Sequence, residues 1–172
     1  MSWETGSQIP RKNEYIRNED LLKKKGFLEE REAKLLFYEF LRNNTTFATD
    51  LITGVQLFPF QHMAIKSMLE SDYFLGVWSR GMSKSYTTGI YAVLDAILNQ
   101  GVETGILSRS FRQSKMIFKK IEDIAAKPEA YLLKQCITHV SKSNDEWVME
   151  IGKSRIRALP LGDGEKLRGF RF

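Results

Sequence analysis

Apolar positions along the chain fall into two spacings, and their succession predicts an α/β fold. Residues 1–26 are polar and mixed in charge, with Gly6 and Pro10 interrupting any pattern, and read as an N-terminal arm. From Phe27 to Asn43 the spacing turns helical. Leu28, Leu35, Leu36 and Phe40, extended by Leu41, fall close to one stripe expected to pack inward, Glu29, Glu30 and Glu32 suit the positive end of the helix dipole, and Asn43-Asn44 closes the run. This opens a helical lead-in over residues 27–54. Pro59 then stops an extended segment and starts a helix through Met63, Ala64, Met68 and Leu69. Phe74 to Trp78 is a short apolar run that reads as a strand. Helical spacing resumes from Tyr86 to Leu98, with Ile90, Val93, Leu94, Ile97 and Leu98 inward and Gly101 suited to a left-handed cap. Gly105 to Ser108 reads as a buried parallel strand, and Ser110 to Ala126 as a helix that Lys127-Pro128 breaks. Leu132 to Val140 fits either a short helix or the start of a strand. Residues 146–152 and 154–160 alternate like an antiparallel hairpin across Gly152-Lys153. Strand, loop, helix, strand, helix argues a parallel sheet with right-handed crossovers, plus that hairpin.

Candidate chemistry sits where the Phe74–Trp78 strand gives way to helix. Ser79-Arg80-Gly81-Met82-Ser83-Lys84-Ser85-Tyr86 has the context of a phosphate-binding loop, in which backbone N–H groups and a helix N-terminus face an anion. Lys84 would reach the β- and γ-phosphates of a nucleotide, and the Ser85 hydroxyl would ligate Mg²⁺. The match to G-x-x-x-x-G-K-[ST] is imperfect: Trp78 stands at the first glycine position and Ser83 directly before Lys84. Serine is small enough for phosphate to approach, but it is penalised if that position needs a positive φ. The stretch equally fits an ordinary strand, turn and helix with a solvated lysine.

Two further stretches bear on that choice. Gln61, in Phe58-Pro59-Phe60-Gln61, can present one donor and one acceptor to the exchange pattern of adenine, with an aromatic over the base. The plainer reading puts Phe58 and Phe60 in the core and Gln61 on the surface. Residues 109–120 carry Arg109, Arg112, Lys115, Lys119 and Lys120 with no acid among them, at the carboxyl end of the Gly105–Ser108 strand where ligands of α/β sheets gather. They read as a solvated helix face, or as a surface for DNA phosphates or for a neighbouring subunit's nucleotide.

Composition narrows the setting. The 172 residues are 42% hydrophobic and 27% charged, with 26 basic and 21 acidic side chains for a net +5, a globular balance compatible with a nucleic-acid partner. Residues 151–172 hold six basic and two acidic side chains. A lone Cys136 excludes an internal disulfide, and two histidines, His62 and His139, argue against a His-rich metal site. No run approaches a membrane span and no signal-peptide stretch opens the chain, so a soluble intracellular protein is expected.

Taken in order, Pro59-Phe60-Gln61, the loop from Ser79 to Ser85, Leu107-Ser108-Arg109-Ser110-Phe111-Arg112-Gln113-Ser114 and Leu167-Arg168-Gly169 resemble the ATPase domain of the large terminase subunit, the motor that packages double-stranded DNA into tailed-phage capsids. The resemblance covers about residues 55–172 and implies a RecA-like P-loop NTPase core using ATP and Mg²⁺. It implies that Gln61 contacts adenine, that the loop from Arg80 to Ser85 cradles phosphates, and that Arg80 is a finger on the γ-phosphate in cis. Arg109 or Arg112 would then act in trans, with Lys115 and Arg168 as further trans-acting or DNA-contacting candidates. The implied partners are double-stranded DNA, a portal protein, the small terminase subunit and further copies in a ring, in the host cytoplasm at the procapsid portal. In that family an apolar strand ending in Asp-Glu follows the Leu-Arg-Gly segment, and this sequence stops at Phe172 before one. The expectation is a partial ATPase domain over 27–172, with a nucleotide-binding core at 55–172, truncated before the Walker B strand and without the nuclease domain. Such a piece would bind nucleotide weakly and hydrolyse almost none. The alternatives are a superfamily 1 or 2 helicase-like translocase and a non-catalytic nucleic-acid-binding module with a degenerate phosphate loop.

Overall fold

The computed structural model describes residues 30–161 of a chain that divides into two compact units, residues 1–40 and 41–172. The first described element is α1 (Glu30–Asn43). Its helical period is as expected; of the apolar stripe, Leu35 and Leu36 stand exposed, Phe40 is half-buried and Leu41 is buried, so burial falls on the end of the helix and not on the whole stripe.

Within the second unit, α2 (Thr45–Thr53) is a second helix inside the helical lead-in expected over residues 27–54. Threonine is a poor helix former, yet the Thr49 and Thr53 hydroxyls donate to the carbonyls one turn back, each at 2.7 Å, and both side chains are buried. The helix ends on Gly54 in the left-handed region. Next come α3 (Pro59–Glu70), α4 (Lys84–Leu98), β1 (Glu103–Ser108) and α5 (Phe111–Ala125). The ambiguous stretch after Pro128 is both of its readings in turn: α6 (Tyr131–Cys136) runs directly into β2 (Ile137–Lys142). The expected hairpin is β3 (Trp147–Ile151) and β4 (Ser154–Pro160).

These strands form one four-stranded sheet in the order β1-β4-β3-β2. β1 and β4 are parallel, while β4–β3 and β3–β2 are antiparallel. The fold is therefore mixed α/β with a partly parallel sheet flanked by helices, and the hairpin is not an appendage to it. β4 and β3 are the interior strands; β4, with Ile156, Ala158 and Leu159 buried, joins the parallel part of the sheet to the antiparallel part.

The expected strand at Phe74–Trp78 is corrected by the structure. No strand is assigned there; Leu75 is 89% and Val77 90% exposed, and the segment pairs with none of the four strands. A run of apolar residues becomes a strand only when another strand lies beside it to satisfy its backbone. Among the described residues, none does.

α4 is nearly apolar all round its middle, with Ile90, Ala92, Val93, Leu94, Ala96, Ile97 and Leu98 buried, as expected of a helix enclosed by others. Its last turn is held from two sides. The Arg42 guanidinium donates to the Leu98 carbonyl at 2.6 Å, and the Ser154 hydroxyl at the start of β4 accepts from the Gly101 N–H at 2.9 Å. That end therefore lies at the amino edge of β1 and β4. Fifteen residues of helix span about 22 Å and the six of β1 about 20 Å, which carries Lys84 toward the carboxyl edge. At that edge the buried Ser114 hydroxyl of α5 donates to the Leu159 carbonyl at 2.7 Å and lies 2.8 Å from Ser108 Oγ. No helix among the described residues is long and apolar enough to cross a membrane.

α4 and α5 touch closely at Gly89. A β-carbon there would sit 3.3 Å from Ile121 Cγ1 and 3.8 Å from the Ile117 carbonyl, so the missing side chain sets how near the two helices come. Gly89→Val is expected to lower stability by about 1–3 kcal/mol through overpacking, read as a lower urea midpoint with an unchanged slope. Gly89→Ala should lose much less.

Candidate phosphate-binding loop

Residues 79–86 form an open cleft of about 730 Å³, walled by Ser79, Arg80, Gly81, Met82, Ser83, Lys84, Ser85, Tyr86 and Lys120. The chain enters α4 through two left-handed residues, Gly81 at φ 88° and Ser83 at φ 50°. Ser83 is the only non-glycine residue with a positive φ among those described, and it holds the position where the phosphate-loop pattern has its second glycine. The loop thus adopts the backbone turn for which glycine is favoured, with serine carrying the strain.

That turn is held from outside. The Phe58 N–H donates to Gln61 Oε1 at 2.9 Å, and Gln61 Nε2 donates to Thr87 Oγ1 at 3.1 Å. The Thr87 hydroxyl donates in turn to the Ser83 carbonyl at 3.2 Å, as does the Thr87 N–H at 3.0 Å. Gln61 and Thr87 are buried at 3% and 0% exposure, so the relay runs through the interior from the start of α3 to the last residue of the loop. Thr87 supplies the first intrahelical donor of α4, which leaves the N–H groups of Lys84, Ser85 and Tyr86 without a helical acceptor at the mouth of the cleft.

The sequence-derived residues divide cleanly. Ser79 through Tyr86 come together as the walls of one cleft, with Lys84, Ser85 and Arg80 exposed. Gln61 is not a wall residue; its amide braces the loop from behind. Phe58 and Phe60 are exposed at 68% and 38%, the reverse of the plain reading, and stack at 6.0 Å, with Trp78 edge-on to Phe60 at 6.2 Å. Arg109 and Arg112 are exposed near the carboxyl end of β1, and neither they nor Lys115 line the cleft. Arg168, with Leu167 and Gly169, lies outside the described residues.

One residue of the site, Thr87, had not been singled out, and another, Lys120, was read only as part of the basic stretch 109–120. Thr87 is the hydroxyl that couples Gln61 to the loop, and Lys120 of α5 adds a second ammonium group to the cleft beside Lys84. The available signal for Lys120 was Gly89, an isolated glycine inside an apolar helix, which marks a close approach by a neighbour. Around the site, burial pushes the Tyr86 phenol up and the His62 imidazole down, so both stay neutral near pH 7. Burial also raises the thiol of Cys136, at the end of α6.

The cleft carries cations, hydroxyls and helix-start amides, and among the described residues no carboxylate lines it. Its donor set fits an anion. A Mg²⁺ ion bound there would need the oxygens of that anion, with Ser85 offering the protein's hydroxyl. No protein-family model matches the chain, and no curated protein matches it either.

Replacing Thr87 by valine keeps its shape and leaves the Gln61 amide buried without its acceptor. Thr87→Val is expected to cost about 1–3 kcal/mol. A double-mutant cycle with Gln61→Leu should show coupling between the two sites in chemical denaturation.

Proposed function

We propose that this chain is the nucleotide-binding part of a DNA-packaging motor of the large-terminase type, built on a RecA-like P-loop core, and that residues 79–86 hold the triphosphate of ATP with its Mg²⁺. The observation that supports this most is the left-handed Ser83 leading into Lys84. A serine held in a glycine conformation, directly before a lysine at a helix N-terminus, is what a phosphate cradle requires and what an ordinary turn does not.

On this reading each group has a part. The free amides of Lys84, Ser85 and Tyr86 surround the phosphates, and the Lys84 ammonium neutralises the β- and γ-oxygens. Ser85 contributes one oxygen to the metal, which would supply the charge that shields the phosphate tail. Arg80, exposed in the same loop, is placed to follow charge developing on the terminal phosphate. The stacked Phe58 and Phe60 with Trp78 offer an aromatic surface for the base, while Gln61 maintains the loop from the interior. Arg109 and Arg112, outside the cleft and exposed, suit contact with a neighbouring copy in a ring or with DNA. Portal and small-subunit contacts belong to the same reading. The cleft has no carboxylate to activate water, which favours binding over turnover for the described residues.

Titration with Mg·ATP, followed by calorimetry, tests the proposal. Wild type should bind, and Lys84→Ala should bind about 10–100-fold more weakly through loss of a charged hydrogen bond. Ser83→Gly, freed of about 1 kcal/mol of left-handed strain, should bind at least as tightly as wild type, and Ser83→Val more weakly. Equal affinities for wild type and Lys84→Ala would overturn the reading.

A further inference from the structure

Trp147 opens β3, half-buried, with its ring edge-on to Phe118 at 5.6 Å and to Phe111 at 6.5 Å. Three ammonium groups gather over this aromatic floor. Lys115 Nζ lies 3.9 Å from the Phe111 centroid and 5.0 Å from that of Trp147, Lys142 4.7 Å and Lys119 5.9 Å from Trp147. Lys142 faces Trp147 across the β2–β3 ladder and also meets Glu122 at 2.7 Å. Lys115 and Lys119 meet no carboxylate among the described residues; the rings alone hold them.

The arginines of β4 show the contrast. Arg155 is paired with Glu150 at 3.1 Å and Glu103 at 3.6 Å, and Arg157 with Glu146 at 3.0 Å and Glu103 at 3.3 Å. Positive charge on the sheet is answered internally, and Lys120 of α5 meets Asp123 at 3.7 Å, while Lys115 and Lys119 are positioned with no carboxylate among the described residues to answer them.

We propose that the flank of α5 bearing the half-buried Lys115 and the exposed Lys119, continued by Lys142 on the hairpin side, carries the phosphate backbone of duplex DNA. Ammonium groups crowded around one indole repel one another, and a polyanion lying across them relieves that repulsion while releasing its counterions. Cation–π contact fixes the ammoniums without neutralising them, as a carboxylate would. The indole is packed by two ring edges and capped by cations. That arrangement serves contact with the sugar-phosphate backbone and leaves little room for stacking of unpaired bases, so duplex is favoured over single strand. The choice of DNA among polyanions rests on the packaging reading above; the charged surface does not.

Anisotropy of a labelled 30-base-pair duplex (a probe length of roughly three helical turns), titrated without nucleotide at several salt concentrations, tests this. Lys115→Ala/Lys119→Ala should weaken binding by about tenfold or more at low salt and flatten the log K against log salt slope by about 1.8, two contacts' worth. Lys115→Arg/Lys119→Arg should retain both values, with an unchanged urea midpoint in each variant. Lys153→Ala, at the far turn of the hairpin, should change affinity by less than about twofold. An unchanged slope in the double alanine variant, an equal loss per charge from Lys153→Ala, or tighter binding of a single strand of the same length would overturn the inference. Wild type that binds Mg·ATP but not duplex would sink this surface alone. Duplex binding through these lysines without Mg·ATP binding would sink the nucleotide reading alone.

Discussion

The enclosure of α4 is the constraint on which the rest depends. Its middle is buried against α5, the sheet and the preceding helices, and its last turn is fixed by Arg42 and by the start of β4. A helix buried on most sides has no freedom to slide or rotate, so its first turn is placed by packing rather than by the loop that leads into it. Packing of the helix therefore sets where the backbone of Lys84 and the amides beside it stand. The preorganisation comes from the core.

The loop is held by a different kind of force. Gln61 and Thr87 are buried polar side chains, and each is tolerable only because the other satisfies it. The relay ends on the carbonyl of Ser83, the residue whose backbone is strained. Strain of this kind persists where surrounding bonds over-determine it. Apolar packing thus positions the helix, and a short polar chain from α3 keeps the turn before it in its unfavourable state.

How much of this could be read from the residues alone depends on whether a feature is local. The helical stripe of α4, the break at Pro128 and the turn at Gly152-Lys153 follow from spacing and turn chemistry, and all appear where expected. The loop's walls were legible too, because Ser79 through Tyr86 are consecutive. Phe74–Trp78 misled because apolar composition marks a segment that can pair, whereas pairing needs a partner elsewhere in the chain. Gln61 misled in the opposite way. A glutamine beside two phenylalanines looks like the surface member of the group, and only Thr87, twenty-six residues on, makes its burial affordable. Lys120 belongs to the cleft because Gly89 lets two helices approach, and Trp147 meets the lysines of α5 through sheet order. Neither meeting is written in any single stretch.

The state of Cys136 has a practical consequence. It is the sole cysteine of the chain, and partial burial at the end of α6 raises its thiol pKa, which lowers the share present as the reactive thiolate. A cysteine introduced on an exposed loop would therefore react first with a maleimide dye or spin label, without removal of the native residue. Labelling that favours a chosen surface point then makes distances to a bound nucleotide or nucleic acid measurable with the interior unaltered.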